Sequence, residues 1–144
     1  MKVLSLTQPW ATLVAIGAKT IETRSWATRY RGPLAIHAAK GLGSIGGPLG
    51  LMALCRTEPF HCCLVAAGYT GTSQLPFGAI VAVCTLDDCF QFTSESTANL
   101  SAQELAFGDY TPGRYGFRLS NIRQLDAPIP ARGSLGLWNY EGEL

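Results

Sequence analysis

The spacing of apolar positions shifts repeatedly along the N-terminal part of the chain, and each shift marks a new element. KVLSL (2–6) predicts a short strand. Thr7 follows as a plausible N-cap, with Pro9 in the first helical turn, where its missing N–H costs nothing. Trp10, Leu13, Val14 and Gly17 fall at i, i+3, i+4 and i+7, one face of a helix that Gly17 would stop. From Thr20 the period becomes two. Ile21, Thr23 and Ser25 point one way, and Glu22, Arg24 and Trp26 the other. ATRYRG (27–32) is a basic, aromatic connection, and PLAIHAA (33–39) predicts a strand with Leu34, Ile36 and Ala38 inward and His37 opposite them.

The middle of the chain is harder to order. GLGSIGGPLG (41–50) is glycine-rich. LMALCRT and FHCCLVAAG predict short apolar helices broken at Pro59 and Gly68, and TGTSQLPFG has loop chemistry. AIVAVCTL (79–86) is an uninterrupted apolar run rich in β-branched residues, as in a strand covered on both faces. A short helix is predicted around 101–107, a strand over RYGFRLSNIRQL, and a last strand within PIPARGSLGLWNY. Strands dominate, with helices between them. The pattern is α+β, built on a curled sheet or small barrel. No internal repeat or domain-scale linker is visible, so residues 1–144 are read as a single domain with an insertion at about 41–77.

Composition narrows the function. The chain is 47% apolar and 15% charged, which argues against disorder. Its formal net charge of +1 excludes the broad cationic surface that coats duplex DNA, so any nucleic-acid contact must be local. No apolar run approaches the ~18 residues of a membrane span, and Gln8 and Pro9 interrupt any secretory pattern. A soluble, cytoplasmic protein without membrane contact is expected. The five cysteines are odd in number and form no CxxC pair, which suggests free thiols. Two scattered histidines give no convincing zinc set, and neither a metal nor a cofactor is expected. GLGSIG (41–46) fits GxGxxG, but no acidic residue follows at dinucleotide-binding spacing and no βαβ series continues it.

The most informative stretch is GAKTIETRSW (17–26). Glu22, Arg24 and Trp26 share one strand face. An i, i+2 Glu–Arg pair would fix the guanidinium while leaving donors for a phosphate or a base edge. Trp26 would offer a stacking surface for a base, and Arg29, Tyr30 and Arg31 follow at once, the mixture single-strand recognition needs. Lys19 falls on the other face by strict alternation, but it sits in the turn after Gly17, where alternation need not hold. The competing reading is a solvated strand face whose surface ion pair contributes little.

Gly17, Lys19, Glu22 and Arg24 fit GxKxxExR, and this string resembles the signature of the ASCH (activating signal cointegrator homology) family. LSLTQPWATLVAIGAKTIETRSW, RGPLAIHAAK, GAIVAVCTLDDC, RYGFRLSNIRQL and ARGSLGLWNY resemble further parts of its cointegrator-like branch. The resemblance implies a PUA-like β-barrel with surrounding helices, a cleft lined by the motif's Lys, Glu and Arg, and RNA-related work. Members are described as RNA or DNA binders, and a few as enzymes: a ribonuclease, and an amidohydrolase branch acting on an acetylated nucleoside. That branch carries Lys-x-x-Thr with the Thr as nucleophile. Glu22 stands there in this chain, and a carboxylate does not readily replace a hydroxyl nucleophile in amide cleavage.

The leading expectation is therefore a module that binds single-stranded RNA or a nucleotide. Its expected contacts are Lys19, Glu22, Arg24 and Trp26 in the cleft, Arg29, Tyr30 and Arg31 beside it, and Gln8, His37 and Ser134 as further members. The alternative is a hydrolase acting on RNA or a modified nucleoside, with Lys19 and Glu22 as acid and base. A protein partner in a larger RNA-related complex is a further expectation. Trp10 and Trp138 are assigned to packing, and His61, Cys62 and Cys63 to the core of the insertion.

Overall fold

The computed structural model describes residues 1–144. One six-stranded sheet runs in the order β2-β5-β4-β3-β1-β6. In chain order the elements are β1 (Lys2–Leu6), α1 (Trp10–Ala15), β2 (Ile21–Arg24), β3 (Gly32–Ala38), α2 (Gly47–Cys55), α3 (Phe60–Ala66), β4 (Ala79–Gln91), α4 (Ala102–Ala106), β5 (Tyr115–Pro130) and β6 (Leu137–Asn139), with a 3₁₀ turn at Thr72–Gln74. Strand β1 pairs parallel with β3 and antiparallel with β6, and the other neighbours are antiparallel.

The residues of α1 explain why the sheet has a filled concave side. Ala11, Thr12, Leu13, Val14 and Ala15 are all buried, so this short helix is covered all round. Ala11, Val14 and Ala15 join Leu4, Leu6, Leu34, Ile36, Leu86 and Phe117 in the main core. Leu13 faces the other way, into a second cluster with Leu51, Phe60, Leu64, Leu75 and Phe107. Residues 41–77 therefore form a helical annex whose Leu51, Phe60, Leu64 and Leu75 share a second core with Leu13 of α1 and Phe107.

The sheet curls, helped by register shifts along the β4–β5 ladder between Ile80 and Ala82, Val83 and Thr85, and Leu86 and Asp88. It does not close into a barrel through backbone pairing, the closure that the sequence suggests. The architecture is a half-barrel with β2 and β6 as its edges. Strand β6 covers only Lys2–Leu4 of β1, which leaves the Ser5 carbonyl free on that side. The Arg24 guanidinium at the end of β2 donates to it at 2.7 Å, so a side chain bridges the seam.

Three local expectations change. Helix α1 begins at Trp10 with Pro9 at the N-cap, and Gln8 Oε1, not Thr7, accepts the Thr12 N–H at 3.0 Å. Strand β4 runs on to Gln91 beyond its apolar run, because Asp88 to Gln91 still pair with Arg118 to Tyr115. The last predicted strand is split. Residues 128–130 end β5, and only Leu137–Asn139 forms β6, because prolines and glycines interrupt the ladder between them.

Candidate functional site

The segment after α1 shows what the motif does locally. Ala18 and Lys19 both donate their N–H groups to Leu13 O, at 2.9 and 3.0 Å, so the chain turns tightly into β2. This turn overrides strand parity and brings the Lys19 side chain back to Glu22. Lys19 has no exposed surface. Its Nζ donates to Ile21 O at 2.6 Å and Phe107 O at 2.9 Å, and lies 3.5 Å from Glu22 Oε1. Its three protons thus face three oxygens. Burial holds its pKa below the ordinary lysine value, against the opposing pull of Glu22 and Glu104.

Glu22 is also buried, with 8% of its surface exposed. Its Oε2 accepts from Arg24 Nε at 2.9 Å and lies 2.8 Å from Arg24 Nη2. The same Nη2 carries the bond across the seam to Ser5 O, while Nη1 makes no hydrogen bond within the chain. Behind this row, Glu104 Oε1 accepts from Thr20 N and Thr20 Oγ1 at 2.6 and 2.7 Å, and Gln103 Nε2 donates to Ala18 O at 2.9 Å. Residues 18–22 are therefore stitched to α4, whose own start is capped by Ser101 Oγ. Glu104 Oε2 and the Tyr110 hydroxyl are buried without a partner. Burial, with help from Glu104, pushes the Tyr110 pKa up.

In front of the row lies a cleft of about 320 Å³. Ser5, Leu6 and Thr7 from the end of β1 form one side, with Trp10 at the start of α1. Glu22, Thr23 and Arg24 form the floor, and Phe107, Gly108 and Asp109 the far lip. A Cβ at Gly108 would lie 2.7 Å from Thr23 Cγ2, so only glycine lets this lip close on β2. Asp109 N donates to Thr23 Oγ1 at 3.0 Å and fixes the lip. The exposed Asp109 carboxyl accepts from Thr111, and these hydrogen bonds lower its pKa. The cleft thus combines an indole wall with a floor whose carboxylate and guanidinium are already paired.

The predicted site residues separate. Glu22 and Arg24 line the cleft, and Lys19 lies behind them. Gln8 is not exposed at the helix start, as its position suggests. It has no accessible surface, and its amide nitrogen is committed to Pro76 O at 2.8 Å. Trp26 packs edge-on against Phe117, with ring centroids 5.1 Å apart, and does not line the cleft. The Tyr30 hydroxyl donates to Pro33 O, and Arg31 Nη1 donates to Thr28 O and Tyr30 O while Nη2 lies 3.6 Å from Asp88. Arg29 is exposed on the same connection. His37, placed by strand parity away from the apolar side, is instead buried. Its Nε2 bonds Ala131 O at 2.8 Å and its Nδ1 meets Ser5 Oγ at 2.9 Å. With Ser134 it lines a different groove, on the other side of Ser5. Within residues 41–77, Cys62 is exposed and His61 lies at the surface 3.5 Å from Glu58, so these two are not core residues, while half-buried Cys63 packs against the second cluster.

Sequence reasoning also misses residues that form the cleft. Trp10, assigned to packing, does pack on Phe60, yet it also forms a wall. Phe107, Gly108 and Asp109 carry no local signal, because the Lys19–Phe107 bond brings them in from 88 positions away.

The ASCH domain profile matches residues 4–126, from within β1 to well along β5. The chain belongs to the ASCH domain family. It is 26% identical over 141 residues to activating signal cointegrator 1 of Mus musculus, and equally so to that of Homo sapiens. The alignments cover 98% of this chain and 22% of each relative, so this ASCH chain spans about a fifth of the curated proteins it matches. Among solved structures, it is similar to the crystal structure of a point mutant of the ZmASCH protein from Zymomonas mobilis, with a TM-score of 0.51 and 16% identity over 90% of this chain and 74% of that one. That likeness supports the fold: a curled ASCH half-barrel with helices packed on it. No helix is long and apolar enough to cross a membrane.

Proposed function

We propose that this ASCH domain binds single-stranded RNA, taking one nucleotide into the cleft over Glu22 and Arg24. The family is RNA-associated, and the observation that carries the reading is the state of the motif. Arg24 is held by Glu22 and Ser5 through Nε and Nη2 and lines a concave space, and its Nη1 has no hydrogen-bond partner within the chain. A guanidinium pre-oriented by a carboxylate recognises a phosphate or a base edge without the entropy cost of ordering a loose side chain. The volume of about 320 Å³ is at the low end of small-molecule sites, which run from ~300 to 1,000 Å³, and suits one nucleoside. In this reading the base lies against Trp10, taking the role the sequence gives to Trp26.

The geometry favours binding over turnover. As acid or base, Lys19 would have to leave three oxygen partners and cross Glu22 to reach a ligand. Glu22 reaches the cleft, but its Oε2 is occupied by Arg24.

The test is a nuclear magnetic resonance titration with the four nucleoside 5′-monophosphates and with short single-stranded RNA. The indole N–H of Trp10 and the Nε–H of Arg24 are expected to shift, while the indole N–H of Trp26 stays in place. Shifts confined to Trp26 and the Arg29–Arg31 connection would move the site out of the cleft.

A further inference from the structure

The groove on the other side of Ser5 differs in its chemistry from the motif cleft. It encloses about 1,000 Å³, and none of its lining residues is acidic. Two cations, Lys40 and Arg132, stand on its rim in contact with water, and neither is in an ion pair. The sheet places them together. Past the paired ends of β3, β4 and β5, Gly78 N donates to Ala38 O at 2.8 Å and Ala131 N to Gly78 O at 3.0 Å. The ladder thus continues one step beyond the strands and sets Lys40 and Arg132 at one end of the sheet. The floor is rigid: buried His37 is held between Ser5 Oγ and Ala131 O, and Trp138 Nε1 donates to the same Ser5 Oγ at 3.0 Å. A Cβ at Gly133 would lie 2.7 Å from the His37 ring, so the loop carrying Arg132 and Ser134 lies directly on that ring.

Ser5 lines both spaces. Its carbonyl holds Arg24 in the cleft, and its hydroxyl holds His37 under the groove. In the cleft, Glu22 and Asp109 accompany Arg24, and net attraction for an anion is weak. In the groove, the cations stand without acids. We infer that the groove is a phosphate track for the same RNA strand whose nucleotide occupies the cleft, with neighbouring backbone phosphates passing Ser5 to reach Lys40 and Arg132. This rests on the reading of the cleft as a nucleotide site. It adds that the ligand is an oligonucleotide, that specificity and backbone affinity are divided between two surfaces, and that most of the salt dependence arises away from the motif.

The test compares a fluorescently labelled random-sequence RNA hexanucleotide with free nucleosides as probes. The variants are Lys40→Gln/Arg132→Gln and, as a charge-matched control on distant exposed arginines, Arg56→Gln/Arg123→Gln. The groove variant is expected to bind the hexanucleotide about tenfold more weakly and to reduce the slope of log K against log salt by roughly 1.4, two phosphates at ~0.7 each. The control is expected to stay within about a factor of two on both measures, as long-range charge alone is screened. Equal losses in the two double variants, or an unchanged salt slope in the groove variant, would overturn the track. If the native protein binds nucleosides as tightly as the hexanucleotide, the track fails and the cleft reading stands. If it binds neither, both fail.

Discussion

The motif cleft and the groove behind Ser5 lie side by side, yet they handle charge in opposite ways. At the cleft, Lys19, Glu22 and Arg24 are gathered in a row, largely withdrawn from water, and the two cations are satisfied by Glu22 and by main-chain oxygens, with Glu104 behind them holding Thr20. In the groove, Lys40 and Arg132 stand in water without partners. The first arrangement is part of the fold, and only its outer edge, Glu22 and Arg24, faces the cleft. The second adds little to the fold and is free for a ligand. A charged residue in a short motif is therefore not by itself a contact residue: here the fully enclosed Lys19 joins α1, β2 and α4.

The contrast can be broken most sharply at Lys19. Lys19→Met leaves two carbonyls and a carboxylate without their cation, and a loss of ~3–5 kcal/mol in unfolding free energy is expected. Urea titration of the purified variant would measure it, and a loss below about 1 kcal/mol would show that the cluster is not structural. Next in size is Arg24→Lys, which keeps the charge but loses the fork that reaches Glu22 and Ser5 together. About 1–3 kcal/mol is expected for the unmade bonds at this partly buried site. The amide of Leu6, beside the seam, should also exchange hydrogen faster.

The third test concerns a buried group with no opposite charge to pair it. The Cys84 thiol lies in the main core, and burial pushes its pKa up to about 12 from an ordinary value of 9.0. The folded value is the higher one, so the unfolded chain gives up its proton first as pH rises past 9. Stability from this group is complete below that point and falls between pH 9 and 12. At pH 10 the expected loss is about 1.4 kcal/mol, one unit of differential protonation, and Cys84→Ala should lack that alkaline decline in a pH series of urea titrations. The smallest effect belongs to the groove: Lys40→Gln/Arg132→Gln should change unfolding free energy by no more than ~0.5 kcal/mol, as for other surface positions. A larger change would show that the groove shares the structural role of the motif.

What the sequence makes legible follows the reach of its signals. Strand β1, the buried faces of α1, the core of β4 and the short helix α4 each show in local periodicity, and the structure has all of them. The convergence of Glu22 and Arg24 is also readable, since strand parity needs only neighbouring residues. Parity cannot say where a strand stops or what covers its face: β2 ends at Arg24, and Trp26, in the bend beyond it, packs on Phe117 of β5. Gln8 is misjudged because its amide partner, Pro76, lies 68 positions away. Closure of the sheet is overestimated for a related reason. A resemblance to a barrel family does not say how far β6 extends, and here it stops at Leu4 of its partner.

The seam between the sheet edges has one more consequence. Paired strands sit at a fixed spacing of ~4.8 Å, so a fully laddered wall offers a single diameter. Here one guanidinium spans the last gap, and the aperture beside it depends on the length of that arm. The width of that gap is therefore set by one side chain rather than by main-chain pairing, which makes position 24 the place where the mouth of this scaffold can be resized.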